Sequence, residues 1–165
     1  MNSLISKPVD TLSGISIMPG DKSISHRAVL FSALAAGKSE IHGLLEGDDV
    51  KHTASAIADL GCHVEPQSGG RWIVSGRGID GLSPSNKVLD MGNSGTAARL
   101  LLGVLAGYNF TTFLTGDKSL CKRPMDRVTV PLSQMGATFT TSAGRLPIAI
   151  VGAERLLPLE YNLPM

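Results

Sequence analysis

An internal repeat of about 70 residues is the feature of this sequence that most constrains its fold. Matched positions recur along the chain, with Arg27 and Arg99 separated by 72 residues, Ala36 and Ala106 by 70, Gly47 and Gly116 by 69, and Leu60 and Met135 by 75. Repeated supersecondary units bury their apolar faces against each other. We therefore expect two similar units, about residues 19–86 and 87–155, to share an interior.

Hydrophobic periodicity and turn residues predict the element order β-α-β-α-β-β in each unit, and hence an α/β (α+β) fold. The first unit has predicted strands at residues 14–18, 39–44, 62–65 and 71–75, and helices at 24–36 and between Gly47 and Gly61. The second has predicted strands at 88–91, 110–115, 137–141 and 146–151, and helices at 97–106 and 125–135, the latter kinked or starting late because of Pro131. The first helix of each unit is apolar nearly all round, which indicates burial on several sides. Residues 161–163 look like the opening strand of a third unit.

Composition indicates a globular chain without a strong electrostatic partner. The 165 residues are 42% hydrophobic, and 15 basic residues nearly balance 14 acidic ones, so no overall field favours nucleic acid or a membrane surface. The longest apolar run is too short to span a bilayer. Cys62 and Cys121 have no metal-binding spacing, and the N-terminus has no secretory pattern, so we expect reduced thiols and a cytoplasmic location. Anion recognition must then be local.

A candidate anion site lies at the start of the first helix, in residues 19–27. A Pro-Gly turn and the N-cap candidates Asp21 and Ser23 precede the helix, whose first N–H groups carry a partial positive charge. Lys22, the Ser23 hydroxyl and Arg27 add polar groups there. The alternative is a capped surface helix with solvated cations. A Walker A loop is excluded because Asp21, not glycine, precedes Lys22.

Two further elements in the second unit suggest anion binding. The Gly-Asn-Ser-Gly turn at residues 92–95 places backbone N–H groups at the mouth of the next helix. Farther along, Pro124 fixes the backbone beside Arg123 and so directs a guanidinium suited to phosphate or carboxylate. Solvated charges are the preferred interpretation for Lys122 and Arg127, and anion binding is preferred for Arg123.

Three motifs, at residues 19–27, 92–99 and 116–125, together resemble the 5-enolpyruvylshikimate-3-phosphate synthase family, also called 3-phosphoshikimate 1-carboxyvinyltransferases. The resemblance covers nearly all of the chain. It implies an enolpyruvyl transferase-like fold of two domains, each with three β-α-β-α-β-β units and buried parallel helices, and an active site between the domains. The implied reaction transfers the enolpyruvyl group of phosphoenolpyruvate to the 5-hydroxyl of shikimate 3-phosphate, with neither cofactor nor metal.

The resemblance also implies roles for individual residues. Lys22 matches the catalytic family lysine that contacts both substrates, and Ser23 and Arg27 match groups on the shikimate phosphate side. Asn93, Gly95 and Arg123 match the side that holds phosphoenolpyruvate. Asp48 and Asp49 match a family acidic pair, which we interpret first as helix-capping groups and second as indirect cleft residues. The four histidines, His26, His42, His52 and His63, have no surrounding carboxylate or cysteine cluster and are interpreted as core or surface residues.

Family members are much longer than this chain, which ends where the third unit should begin. We therefore expect residues 1–18 to be a strand of the distal domain and residues 19–165 to be a partial domain with its third unit missing. The resemblance places the acid and base groups in the other domain, so the C-terminal remainder is an implied partner and the chain alone is expected to be inactive. The alternatives are a UDP-N-acetylglucosamine enolpyruvyl transferase and a non-catalytic phosphate-binding fragment.

Overall fold

The computed structural model describes residues 3–162 and contains two α/β units in sequence. The first unit consists of α1 (Lys22–Leu34), β1 (Ala36–Ile41), α2 (Asp48–Asp59), β2 (His63–Pro66) and β3 (Trp72–Arg77). The second consists of β4 (Leu89–Asp90), α3 (Gly95–Leu105), β5 (Thr111–Thr115), α4 (Asp126–Gln134), β6 (Thr138–Ser142) and β7 (Arg145–Val151). Short 3-10 turns occupy Ser68–Gly70 and Leu120–Lys122.

Sheet topology confirms the repeat. The first sheet has the order β1-β3-β2 and the second has the order β4-β5-β7-β6. In both, the last two strands form an antiparallel hairpin whose second strand also pairs antiparallel with the strand that follows the opening helix. Without β4 the two sheets have the same order and the same strand directions.

The predicted strand at residues 14–18 has no partner strand within residues 3–162, so its assignment to the distal domain stays a prediction. In the second unit β4 runs parallel to β5, and the Met91 N–H extends the pairing by donating to the Thr115 carbonyl at 2.9 Å. The residue 72 positions before Met91 is Pro19, which has no N–H to donate. Ile15 and Ile17 are accordingly more than 90% exposed.

Side-chain caps fix where the two opening helices begin. The Asp21 carboxylate accepts a hydrogen bond from the Ile24 N–H at 2.7 Å, and the Ser94 hydroxyl accepts one from the Ala97 N–H at 3.2 Å. Both helices therefore start two residues before their predicted positions. Gly61, directly after the C-cap of α2, has φ +98°, the left-handed conformation expected of a glycine that ends a helix.

The opening helices share one core, as predicted, but α1 is not buried all round. Val29 and Ala33 of α1 and Ala98 and Leu101 of α3 belong to the same buried cluster. Ile24 and Phe31, on the outer face of α1, remain 61% and 66% exposed within the described residues. The all-round apolar pattern therefore predicts more contacts than residues 3–162 provide.

The remaining helix and the chain end differ from prediction in smaller ways. Helix α4 continues through Pro131, and its buried side chains are Met125 at the cap and Thr129. Tyr161 and Asn162 are not in a strand, and Leu163 lies outside the described residues. Among the described helices, none combines the length and the apolar character that a bilayer crossing requires.

Candidate functional site

The start of α1 faces the start of α2. The Lys22 ammonium forms an ion pair with the Asp49 carboxylate in the first turn of α2. Both border a cavity of about 350 Å³ that is also lined by Leu45, Gly47 and Val50. The predicted capping role of Asp48 and Asp49 is wrong, because α2 has Gly47 at its N-cap and no side-chain cap. Asp49 instead holds the lysine that the sequence singled out.

The other two predicted residues on α1 lie in different surroundings. Ser23 is half-buried at the second position of the helix, while the hydroxyl that bonds across the unit is that of Ser25, which accepts from the Leu45 N–H at 3.0 Å. Arg27 is exposed and makes no ion pair with any residue of 3–162. Its guanidinium is thus available to an external anion.

A second cluster surrounds Asn93 in the turn that precedes α3. The Asn93 amide donates to the Asp117 carboxylate at 2.6 Å, and Arg123 donates to the Asn93 carbonyl oxygen at 2.7 Å. The hydrogen bond from Asn93, with a further one from the Leu120 N–H, lowers the pKa of Asp117. Asp117 therefore stays ionised and fixes the direction of the Asn93 amide, which in turn orients Arg123.

Arg99 connects this cluster to the basic segment that follows it. Its guanidinium donates to the Gly95 carbonyl at 3.1 Å and to the Pro124 carbonyl at 2.9 Å. Burial, and then the charges of Arg123 and Arg127, lower the pKa of Arg99. These guanidiniums lie close enough to repel each other, so an anion bound between them would relieve that repulsion.

The structure therefore brings the six predicted residues into two neighbouring groups. Lys22, Ser23 and Arg27 lie on α1, and Asn93, Gly95 and Arg123 lie around the start of α3. His26 joins the groups, because its ring is fully buried between Thr53 of α2 and Ser94, the N-cap of α3. Two groups of cations and backbone N–H donors side by side can hold two anionic ligands close together.

Sequence reasoning gave no site role to two residues that shape these groups, Arg99 and Asp117. Only Arg99 had a usable signal, since it repeats Arg27 at an offset of 72 residues. Among residues 3–162 no group of three or more histidine, cysteine, aspartate or glutamate side chains has an arrangement that could hold a metal ion. Both cysteines are free thiols, and burial raises the pKa of Cys62.

The fold and the site define a class of proteins built from a duplicated α/β unit. In each copy, cationic side chains lie at the start of the opening helix. The family described as EPSP synthase (3-phosphoshikimate 1-carboxyvinyltransferase) matches residues 6–165. This chain belongs to the EPSP synthase family.

Individual relatives agree with that assignment. The 3-phosphoshikimate 1-carboxyvinyltransferase of Granulibacter bethesdensis is 58% identical over 90% of this chain and 33% of its own length. That of Paramagnetospirillum magneticum is 52% identical over 98% of this chain and 36% of its own length. The EPSP synthase structure from Acinetobacter baumannii matches with a TM-score of 0.85 and 44% identity, over 89% of this chain and 34% of that one. The chain thus spans about a third of the length of the relatives it matches.

Proposed function

We propose that this chain is the N-terminal part of a transferase that moves the enolpyruvyl group of phosphoenolpyruvate to the 5-hydroxyl of shikimate 3-phosphate. The observation that carries the proposal is the pair of adjacent cationic groups in a chain of the EPSP synthase family. Both substrates are phosphorylated anions, and each group offers the donors that one phosphate requires. Such an enzyme would act in the cytoplasm, in aromatic amino acid biosynthesis through the shikimate pathway.

In this proposal each of the two groups of residues binds a different substrate. Lys22, Ser23 and Arg27 hold shikimate 3-phosphate, with Arg27 uncompensated by any described carboxylate and so ready for the phosphate. Asn93, Gly95 and Arg123 hold phosphoenolpyruvate, and Arg123 is already oriented through Asn93 at 2.7 Å. Lys22 contacts both substrates and is the catalytic residue of this chain.

Electrostatics explains what these residues contribute to the reaction. Two anions must approach within bonding distance, and fixed cations offset their mutual repulsion. The same donors stabilise charge in the tetrahedral intermediate that forms when the hydroxyl oxygen bonds to the enolpyruvyl carbon. Transfer also needs a proton donor for the methylene carbon and a base for the hydroxyl. The C-terminal remainder of the enzyme would supply those groups and the opposite wall of the cleft.

Phosphate release tests the proposal. The 165-residue chain is incubated with phosphoenolpyruvate and shikimate 3-phosphate, first alone and then with the separately produced remainder of a family member such as the Granulibacter bethesdensis enzyme. We expect release only after mixing. UDP-N-acetylglucosamine serves as the comparison acceptor and should give none. Turnover by the chain alone, or turnover with the sugar nucleotide, would contradict the proposal.

A further inference from the structure

His26 is the buried polar residue that lies between the two cationic groups. Its side chain is fully buried, although the neighbouring Lys22 and Arg27 are exposed. The Nδ1 atom lies 2.7 Å from the Thr53 hydroxyl, and the Nε2 atom lies 3.5 Å from the Ser94 hydroxyl. The imidazole therefore connects α1 to α2 of its own unit and to the turn that opens α3 of the second unit.

The neighbouring groups determine which nitrogen of His26 carries the proton. The Thr53 hydroxyl lies 3.4 Å from the Asp49 carbonyl, to which it donates, so it accepts from His26 Nδ1–H. The Ser94 hydroxyl accepts from the Ala97 N–H and so has its own proton to give to Nε2. The two ring nitrogens and the two hydroxyls all have hydrogen-bond partners only when His26 is neutral with the proton on Nδ1. The result is a directed series of hydrogen bonds from Ser94 to His26, from His26 to Thr53, and from Thr53 to the main-chain carbonyl of Asp49.

We propose that His26 is a positioning residue, which fixes Ser94 and thereby holds the anion-binding turn at residues 92–95 in register with Lys22 and Asp49. These hydrogen bonds start at Ser94, which lies between Asn93 and Gly95. They end at the main-chain carbonyl of Asp49, the residue whose carboxylate pairs with Lys22. The inference deepens the proposed function and rests on it only for the identity of the anions. It gives His26 a role beyond filling the core.

Another histidine of the first unit, His52, also contacts this turn. His52 Nδ1 lies 2.9 Å from the Asp90 carbonyl, at the end of β4. Its ring packs on Gly92 so closely that a β-carbon there would lie 2.6 Å from the ring atom Cδ2. The turn at residues 92–95 is thus contacted by two histidines of the first unit, at Gly92 and at Ser94.

Protonation of His26 would break the hydrogen bond from the Ser94 hydroxyl to Nε2. A protonated Nε2 is a donor, and the Ser94 hydroxyl proton would then lose its buried acceptor. Burial is the main reason that the pKa of His26 is lowered; the Asp49 carboxylate on α2 opposes this shift, and the Lys22 ammonium on α1 adds to it. The neutral form therefore persists below the pH at which an exposed histidine titrates.

Sulfate is the probe for the test, because it remains a dianion across the relevant pH range. The ¹⁵N-labelled 165-residue chain is titrated with sodium sulfate while the amide signals of Asn93 and Gly95 are followed. Long-range ¹H–¹⁵N correlations of the imidazoles report the tautomer and the protonation of His26. We expect the Nδ1–H tautomer at about pH 7.5, and sulfate affinity at the turn that falls about tenfold as His26 protonates, the size of one lost hydrogen bond. An added positive charge acting alone would instead strengthen sulfate binding, so the direction of the change is diagnostic.

Three variants separate positioning from general structure. His26→Gln supplies a donor and an acceptor that do not titrate, so it should keep sulfate affinity across the range in which the unsubstituted chain loses it. His26→Leu should bind sulfate about tenfold more weakly at every pH. His42→Gln, at an exposed histidine beside Glu40, is the matched control and should keep the pH profile of the unsubstituted chain.

Four results would overturn the inference: an Nε2–H tautomer, no sulfate-dependent shift at Gly95, unchanged affinity in His26→Leu, or the same pH dependence in His26→Gln and the unsubstituted chain. If His26→Leu does not fold, the tautomer and the glutamine variant still decide. The sulfate titration needs neither substrate, so it can fail or succeed independently of the phosphate-release assay.

Discussion

Gly95 is the residue whose lack of a side chain the candidate site most depends on. A β-carbon at this position would lie 2.7 Å from Arg99 Nη1 and 3.3 Å from Arg123 Nη1. Gly95→Ala should therefore displace both guanidiniums and weaken phosphoenolpyruvate binding by about tenfold or more, as expected when a charged hydrogen bond is lost. Isothermal titration with phosphoenolpyruvate measures the change.

Gly103, in the same helix, provides a matched control for that substitution. A β-carbon there would meet nothing within 4 Å. Gly103→Ala should leave anion affinity unchanged and raise the free energy of unfolding by up to about 1 kcal/mol, because alanine is the better helix former. Equal losses of affinity in the two variants would mean that contact with the arginines is not the cause.

Lys22 should be important for anion binding but not for folding. Its side chain is 52% exposed, and exposed ion pairs contribute about 0–1 kcal/mol to stability. Lys22→Met should therefore change the free energy of unfolding by less than about 1 kcal/mol, while abolishing most of the activity of the assembled enzyme. Urea denaturation and phosphate release provide the two measurements. Near-normal turnover by the variant would contradict the catalytic assignment.

At the scale of single elements, β5 contains a polar group without a partner. Thr112 is 1% exposed, and its hydroxyl has no hydrogen-bond partner within residues 3–162. Thr112→Val should raise the free energy of unfolding by about 1 kcal/mol, because it removes an unsatisfied buried hydroxyl at nearly constant volume. Thr129→Val is the control, since that buried hydroxyl lies 3.4 Å from the Met125 carbonyl and should give no gain. Chemical denaturation of both variants makes the comparison.

The helices and strands could be predicted because their signals are local in the sequence. The site could be predicted only in part, because it depends on contacts between residues far apart in the sequence. Gly61 and Gly136 end helices in the left-handed conformation, and the sequence contains that information locally. The partners of Asn93 are different, because Asp117 and Arg123 lie 24 and 30 positions away along the chain. Their meeting depends on how β4 pairs with β5. The sequence therefore identified Asn93 and Arg123 as candidate site residues, but it did not predict that Asp117 would orient them.

For the whole molecule, the exposed face of α1 should cause self-association. Ile24 and Phe31 leave an apolar strip on a helix that the sequence pattern predicts to be buried, and such strips favour association. Sedimentation velocity of the 165-residue chain should show dimers or larger species, which Phe31→Ser reduces. Phe113→Ser, at a phenylalanine 52% exposed on β5, serves as the control. An equal reduction by both substitutions would mean that association does not involve α1.

Pro19 marks a difference between the two copies of the unit in how the segment before the opening helix is held. In the second copy a main-chain donor at Met91 holds the opening strand to its own sheet, and the first copy has an imide nitrogen at that position. Residues 14–18 pair with no strand within residues 3–162, and the side chains of Ile15 and Ile17 are almost fully exposed. A segment with these properties can add as a strand to a sheet elsewhere. The second unit thus contains its own opening strand, whereas the first unit leaves residues 14–18 available to a sheet of another polypeptide segment.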